Sequence, residues 1–483
     1  MRLRPRLAHL FSLLSVMISL SAQADGLPPN VLKALKAAQI PAASVAVVVQ
    51  PVDAATPLVA HNAQSALNPA SVMKLLTTYA ALDLLGPAYT WKTTAWVESA
   101  ASDGVLNGNL YLKGSGDPRF AIEHLSGLLR QLRVRGIRQI NGDIVLDRTA
   151  FNIPAIDPGA FDDKPMRPYN VGPDALLINF RALRFSVLPD NGQPRLLAET
   201  PSDGLRIDNR LRNGEGGCSS DWKELINVRL IPENNGNRLE FTGSYSPLCG
   251  ERSLNLAPLP ADAQASGLIR ALWSELGGSL NGQVRGGGVP IGSKLLTQHE
   301  SAPLADVVRD INKFSNNVMA RQVFLTLGND SAPATAERAQ QRVADWLNGR
   351  GLRFPELVLE NGSGLSRRER ISAGSLNRLL LDAWKNPVMP EFVSSMPIVG
   401  IDGTMKKRLA ASDATGRAHI KTGTLDGVKT AAGYALDAQG RRYAVTFLIN
   451  HPRAQAGAAA IDALLVWVAQ RRLGESKPLL ESE

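Results

Sequence analysis

The sequence predicts an α/β (α+β) protein in which a sheet with helices is split by one long, β-rich insertion. Three observations carry that prediction. The chain has 483 residues, too many for one ordinary hydrophobic core, so two or three domains are expected. Strand-like runs stand near both ends, at 43–50 and 431–450, while helical periodicity gathers in 303–383. Between them, residues 93–290 alternate short apolar runs with Gly, Asn and Pro turns. A hydrophobic content of 44% with 20% charged residues fits a soluble globular protein.

Taken in order, ASVAVVVQ at 43–50 is β-branched and reads as a strand, and a turn at 53–56 returns a second strand at 57–61. Asn68-Pro69-Ala70 interrupts, because proline holds the residue before it extended. A helix is expected from about 71 to 85, with Leu75, Leu76, Tyr79, Leu82 and Leu85 at helical spacing and Gly86-Pro87 as its stop. Strands follow at 91–97 and 106–113, then a sharp turn at 114–118, a helix at 122–133 and strand character at 139–146. Runs at 185–188, 205–208 and 227–231 read as strands of a small nested β domain. Helical periodicity returns at 303–327 and 334–348. A strand is expected at 357–360, before the turn Asn361-Gly362-Ser363-Gly364, and a helix at 372–383 with Ser372 as N-cap. A strand starting at 418, a hairpin of 431–437 with 443–450, and an amphipathic helix at 454–471 close the chain.

The N-terminus reads as a secretory signal: Arg2, Arg4 and Arg6, an apolar run at 10–20, and the small-x-small site Ala22-Gln23-Ala24. Cleavage near Ala24 leaves a mature chain from about residue 25, and a periplasmic location is expected. The apolar run is shorter than the roughly 20 residues a membrane span needs. Net charge is +9, or 53 − 3 − 44 = +6 without the three leader arginines. The basic residues are scattered, which disfavours nucleic acid and suits at most a loose attraction to anionic envelope surfaces. The closing helix is expected to be core, with membrane contact at most peripheral. Export makes a Cys218–Cys249 disulfide the default for the two cysteines. It would stabilise by roughly 3 kcal/mol in the chain-entropy model. The six histidines show no ligand spacing, so neither metal nor cofactor is expected.

Three strings point to chemistry: Ser71-Val72-Met73-Lys74, Ser315-Asn316-Asn317 and Lys421-Thr422-Gly423. Each alone is weak. Ser-x-x-Lys recurs at 220–223, and Ser-x-Asn at 253–255, 279–281 and 375–377. Their order adds specificity. A serine hydroxyl needs a base, and Lys74, three residues on, shares a helix face with Ser71. Lysine serves as a base only when burial or a second cation, here Lys421, lowers its pKa. Ser315 can pass a proton, and the Asn317 amide can accept from Lys74 while donating to a substrate. Lys421 and the Thr422 hydroxyl suit a carboxylate. Gly423 clears space for a substrate backbone, and the Thr424 N–H can join that of Ser71 as an oxyanion hole. The bland readings are an N-cap serine with a surface lysine, an Asn-rich helix start, and a strand entering a turn.

With these residues, the chain resembles the D-alanyl-D-alanine carboxypeptidase/endopeptidase family, the class C low-molecular-mass penicillin-binding proteins. The likeness extends over nearly the whole mature chain and includes Gly114-Ser115-Gly116-Asp117-Pro118, residues 361–367, and Gly400-Ile401-Asp402-Gly403-Thr404. It implies a transpeptidase-like domain from both chain ends (25–92 and 291–483). An inserted α+β domain (93–180 and 255–290) would carry a nested β domain (181–254). It implies Ser71 as acylated nucleophile, Lys74 as general base, Ser315 and Asn317 as proton-relay pair, and Lys421 as carboxylate clamp. Asp163, Tyr169 and Arg367 would line a pocket for a diamino-acid side chain. The implied partners are peptidoglycan stem peptides and cross-links, with β-lactams as acylating inhibitors. Two alternatives differ in class: a serine β-lactamase-like hydrolase, which would need a deacylation base that the Glu-x-x-x-Asn spacings at Glu233–Asn237 and Glu251–Asn255, chance matches inside the insertion, do not supply, and a non-catalytic cell-wall binder.

Overall fold

The computed structural model describes residues 26–330 and 332–472. The expected signal peptide lies outside them. Both ends of the described chain meet in one five-stranded antiparallel sheet. Its strands are β1 (Val45–Pro51), β2 (Val59–His61), β3 (Ala418–Leu425), β4 (Val428–Leu436) and β5 (Arg442–Asn450), in the order β3-β4-β5-β1-β2. Strand β1 runs beside β5 in a register that sets Val45 opposite Ile449 and Pro51 opposite Tyr443. All seven β1 residues are buried because helices cover both faces.

The period of two sorts the side chains. Val45, Val47, Val49, Ile420, Val445, Phe447 and Ile449 face a core formed with helix α1 (Pro29–Ala37) and the closing helix Ala458–Gln470. Ala46, Val48, Ala432, Tyr434, Ala444 and Leu448 face the opposite core. That core holds α2 (Lys74–Leu85), α3 (Leu304–Phe314), α4 (Asn317–Thr326) and the helices Ala336–Gly349 and Ala373–Lys385. Helix α2 is buried from Lys74 to Leu82 and ends at Gly86, whose φ of +84° few other residues adopt. As read from sequence, Ser372 caps its helix by accepting the Ser375 N–H.

The inserted region forms a second five-stranded sheet, ordered Val284–Gly286, Ile144–Asp147, Leu110–Lys113, Lys92–Val97, Lys294–Glu300. Helices Ile122–Val134 and Ala261–Glu275 lie on its core. Its edge strand Lys294–Glu300 comes from beyond residue 290, the boundary expected from sequence. Within the insertion, two three-stranded sheets share a core of Leu183, Phe185, Trp222, Leu239, Phe241 and Tyr245. The Cys218–Cys249 disulfide closes against it.

The structure corrects several local readings. Residues 357–360 form no strand, only a single bridge from Val358 to Arg370, because Gly362 and Gly364 (φ +69° and +77°) coil the segment. The 139–146 run breaks into Gln139–Ile140 and Ile144–Asp147 at Asn141-Gly142-Asp143. Helices Pro29–Ala37 and Ala261–Glu275 were not expected. The second sets Leu268, Ile269, Leu272 and Trp273 on one buried face inside a stretch read as β-rich. Among the described residues no helix is long and apolar enough to cross a membrane.

Candidate active site

The site forms where three separate segments meet at the start of α2. Ser71 lies in the 3-10 turn Ala70–Met73 that leads into that helix. The turn is entered through Ala70 at φ +47°, a left-handed conformation unfavourable for alanine. Its surroundings hold it there. The Ala70 N–H donates to Asn68 Oδ1 at 2.9 Å, Asn68 N–H donates to Asn450 Oδ1 at 2.8 Å, and Thr430 Oγ1 donates to the Pro69 carbonyl at 2.8 Å. Two glycines press on the same turn. A Cβ on Gly364 would stand 2.8 Å from the Ser71 nitrogen, and one on Gly423 2.9 Å from it.

Lys74 Nζ lies 2.9 Å from Ser71 Oγ and 2.6 Å from Asn317 Oδ1, and it also donates to the Ser363 carbonyl. The amine is fully buried. Burial pushes its pKa well below the ordinary amine range. The charge of Lys421 pushes the same way, and Glu369 opposes. A neutral amine has two protons and one lone pair. Both carbonyl oxygens can only accept, so they take the two protons. The lone pair is left for the Ser71 hydroxyl.

Lys421 is also fully buried, and burial brings its pKa down to about 7. It donates to Ser315 Oγ at 2.8 Å and to the Thr422 carbonyl at 2.6 Å. Ser315 reaches it because α3 ends there: the serine takes φ 56°, ψ 39°, and Asn316 caps α4 by accepting the Met319 N–H. Thr422 Oγ1 lies 2.8 Å from Thr404 Oγ1. Strand β3 is a sheet edge. The Ile420 N–H points outward to Pro397, so the N–H groups of Thr422 and Thr424 face the same open side. The Thr424 hydroxyl accepts from Lys429 Nζ at 3.0 Å.

Sequence reasoning singled out the segment 361–367 but missed its contact with Lys74 and the buried Glu369 behind it. Glu369 is fully buried and accepts the N–H groups of Glu360, Asn361 and Gly362 at 3.0, 3.0 and 3.2 Å, which sets the Ser363 carbonyl. Burial raises its pKa against those bonds. Nothing in the local string marks this carboxyl as structural.

The remaining candidates lie on the rim or elsewhere. Arg367 stacks on Phe161, 4.6 Å from the ring centroid, and donates to the Asp426 carbonyl at 3.2 Å. Tyr169 donates to Asp162 Oδ2 at 2.7 Å. Asp163 is exposed and makes no side-chain hydrogen bond among the described residues. Its neighbour Asp162 is the carboxylate on Tyr169 because Asp163 sits at φ +58°, turning the chain outward. The duplicate string 220–223 lies in the nested unit, where Lys223 covers the Trp222 ring. Glu233 is held by Arg206 and Arg238, and Glu251 accepts from Ser186. Neither belongs to the cluster around Ser71.

Residues 27–471 match the model of the D-Ala-D-Ala carboxypeptidase 3 (S13) family. A D-alanyl-D-alanine carboxypeptidase from Actinomadura sp. is 30% identical over 441 residues, covering 87% of this chain and 80% of the relative. The crystal structure of penicillin binding protein 4 (dacB) from Haemophilus influenzae superposes with TM-score 0.75 at 24% identity, over 90% of this chain and 98% of that one. The same protein complexed with a novel beta-lactam gives TM-score 0.71 at 24% identity, over 90% and 99%.

Proposed function

Because the chain belongs to the D-Ala-D-Ala carboxypeptidase 3 (S13) family of serine-type penicillin-binding peptidases, we propose that it hydrolyses D-Ala-D-Ala and D-Ala-diaminopimelate bonds of peptidoglycan in the periplasm through an acyl-enzyme on Ser71. One observation carries this reading: a fully buried lysine amine 2.9 Å from the Ser71 hydroxyl, flanked by Asn317 Oδ1 and the Ser363 carbonyl.

The steps balance on these residues. Ser71 Oγ adds to the carbonyl carbon of the D-Ala residue while Lys74 takes its proton. The oxyanion lies between the N–H groups of Ser71 and Thr424, each such donor being worth about 3 kcal/mol. The leaving residue's carboxylate rests on Lys421 and Thr422, and the free Asn317 Nδ2 donates to the substrate backbone. Ser315, bonded to Lys421, relays the proton that Lys74 took on to the departing amine, which leaves Lys74 neutral and Ser315 a hydroxyl again. Water then attacks the ester while Lys74 takes its proton, and Lys74 returns that proton to Ser71 Oγ as the ester bond breaks. A β-lactam opens by the same first half-reaction and leaves slowly. Asp163, Tyr169 and Arg367 are assigned to the diamino-acid side chain, with Asp162 sharing the role through its bond to Tyr169. The leader at 1–24 and the Cys218–Cys249 bridge support export to an oxidising compartment.

The test is incubation with labelled penicillin, peptide mapping, and a digest of cross-linked muropeptides. Label on the Ser71 peptide, lost in Ser71→Ala, with release of D-Ala or cut cross-links, is expected. A β-lactamase would shed the label within seconds. A binder would keep its affinity in Ser71→Ala and hydrolyse nothing. Either result overturns the proposal.

A further inference from the structure

Beside the site lies a cavity of about 570 Å³, within the ~300–1,000 Å³ range of ligand pockets. It begins at Gly403, one residue from Thr404, and at Phe314, one residue from Ser315. Since Thr404 touches Thr422 and Ser315 touches Lys421, the lining at Gly403 and Phe314 is one residue of chain away from contacts of the carboxylate clamp. Its charges are unequal. Lys313 is spent on Asp402 at 2.6 Å, and Arg119 on Asp310 at 3.3 Å. Among the described residues the side chains of Arg309 and Lys406 make no ion pair or hydrogen bond, and Asp306 is the one acid of the lining outside an ion pair. Phe314 and Ile401, also in the lining, stand 69% and 52% exposed. Two free cations beside two exposed apolar side chains suit an anionic peptide.

We propose that this cavity is a leaving-side subsite that receives the acceptor stem peptide of a cross-link. This rests on the peptidase reading above. The clamp fixes the carboxylate of the residue that departs. When that residue is a terminal D-Ala, nothing follows it. When it is diaminopimelate, the carboxylate and amine at the scissile end keep the same relation, and the side chain carries a further carboxylate-bearing peptide onward. The cavity behind Thr404 is where that chain runs. Arg309 and Lys406 meet its carboxylates, while Phe314 and Ile401 cover its apolar stretches. The subsite thus serves endopeptidase substrates and is left empty by carboxypeptidase substrates.

The experiment compares a pentapeptide monomer with a cross-linked dimer, using the unaltered chain and the double variant Arg309→Ala/Lys406→Ala. Both side chains are exposed and outside the reacting cluster, so penicillin labelling of Ser71 reports an intact site. Loss of two exposed pairings is expected to lower kcat/KM for the dimer roughly tenfold, with the monomer unchanged. A parallel variant, Phe314→Ser, is expected to act in the same direction. An equal fall on both substrates, no change on either, or failure of the unaltered chain to cut the dimer while it cuts the monomer overturns the subsite and leaves the peptidase intact. Hydrolysis of neither substrate by the unaltered chain, without labelling, overturns both.

Discussion

Replacing Lys421 with methionine should disable the enzyme and stabilise the fold at neutral pH. In the unfolded chain the amine holds its proton up to 10.5, and in the folded one it releases it near 7. Between those values the unfolded state binds more protons, so stability rises with pH across that window; below 7 both states are protonated and the penalty stays at its maximum. At pH 7 the burial of this amine costs about 4 kcal/mol relative to a group with no charge to lose. Against that, the variant forfeits the bonds to Ser315 Oγ and the Thr422 carbonyl, worth about 1 kcal/mol each. Lys421→Met is therefore expected to be more stable by about 2 kcal/mol at pH 7, with the gain vanishing near pH 9. Urea unfolding of both proteins at the two pH values, followed by tryptophan fluorescence, measures the difference. Labelled-penicillin acylation should fall about 100-fold or more, as when an anion-stabilising group is removed. A variant less stable than the parent at pH 7, or a difference that ignores pH, would refute the placement of a charge-averse amine there.

The same amine must be an ammonium to hold a carboxylate, so KM for carboxylate substrates should climb above pH 7, up to about tenfold per unit, while a substrate amide lacking that carboxylate shows no such rise; steady-state kinetics from pH 6 to 9 decides. Gly423→Ala puts a Cβ 2.2 Å from Thr430 Oγ1 and 2.9 Å from the Ser71 nitrogen; acylation should drop about 100-fold and the overpacking should cost about 1–3 kcal/mol of stability, and an unimpaired rate in the folded variant would mean that β3 does not press on the Ser71 turn. Cys218→Ser/Cys249→Ser should cost the nested unit about 3 kcal/mol and leave penicillin labelling unchanged, as read by calorimetry beside the labelling assay.

What was legible in the sequence had a local signature. Ser71 and Lys74 are one helical turn apart, so their contact follows from spacing. The β-branched run at 43–50 and the hairpin at 431–450 announce themselves by composition, and the chain length announces an insertion. The rest depends on long-range packing. The Ser363 carbonyl that restrains Lys74 is a backbone atom, and a string of side chains cannot advertise it. Glu369 looks like any acid in an Arg-rich loop until its fold turns it inward. Asp162 and Asp163 are indistinguishable as neighbours, and only the left-handed turn at Asp163 decides which one faces Tyr169. The expected strand at 357–360 had the right residues but no partner strand beside it.

The pairing of β1 with β5, residues some 400 positions apart, gives the chain a built-in delay. A ribosome releases Ser71 long before it releases the last hairpin. Until that hairpin docks, Lys421 has no place beside Ser315. The grouping of Ser71, Ser315 and Lys421 that the proposed chemistry requires is therefore assembled only as the polypeptide nears completion.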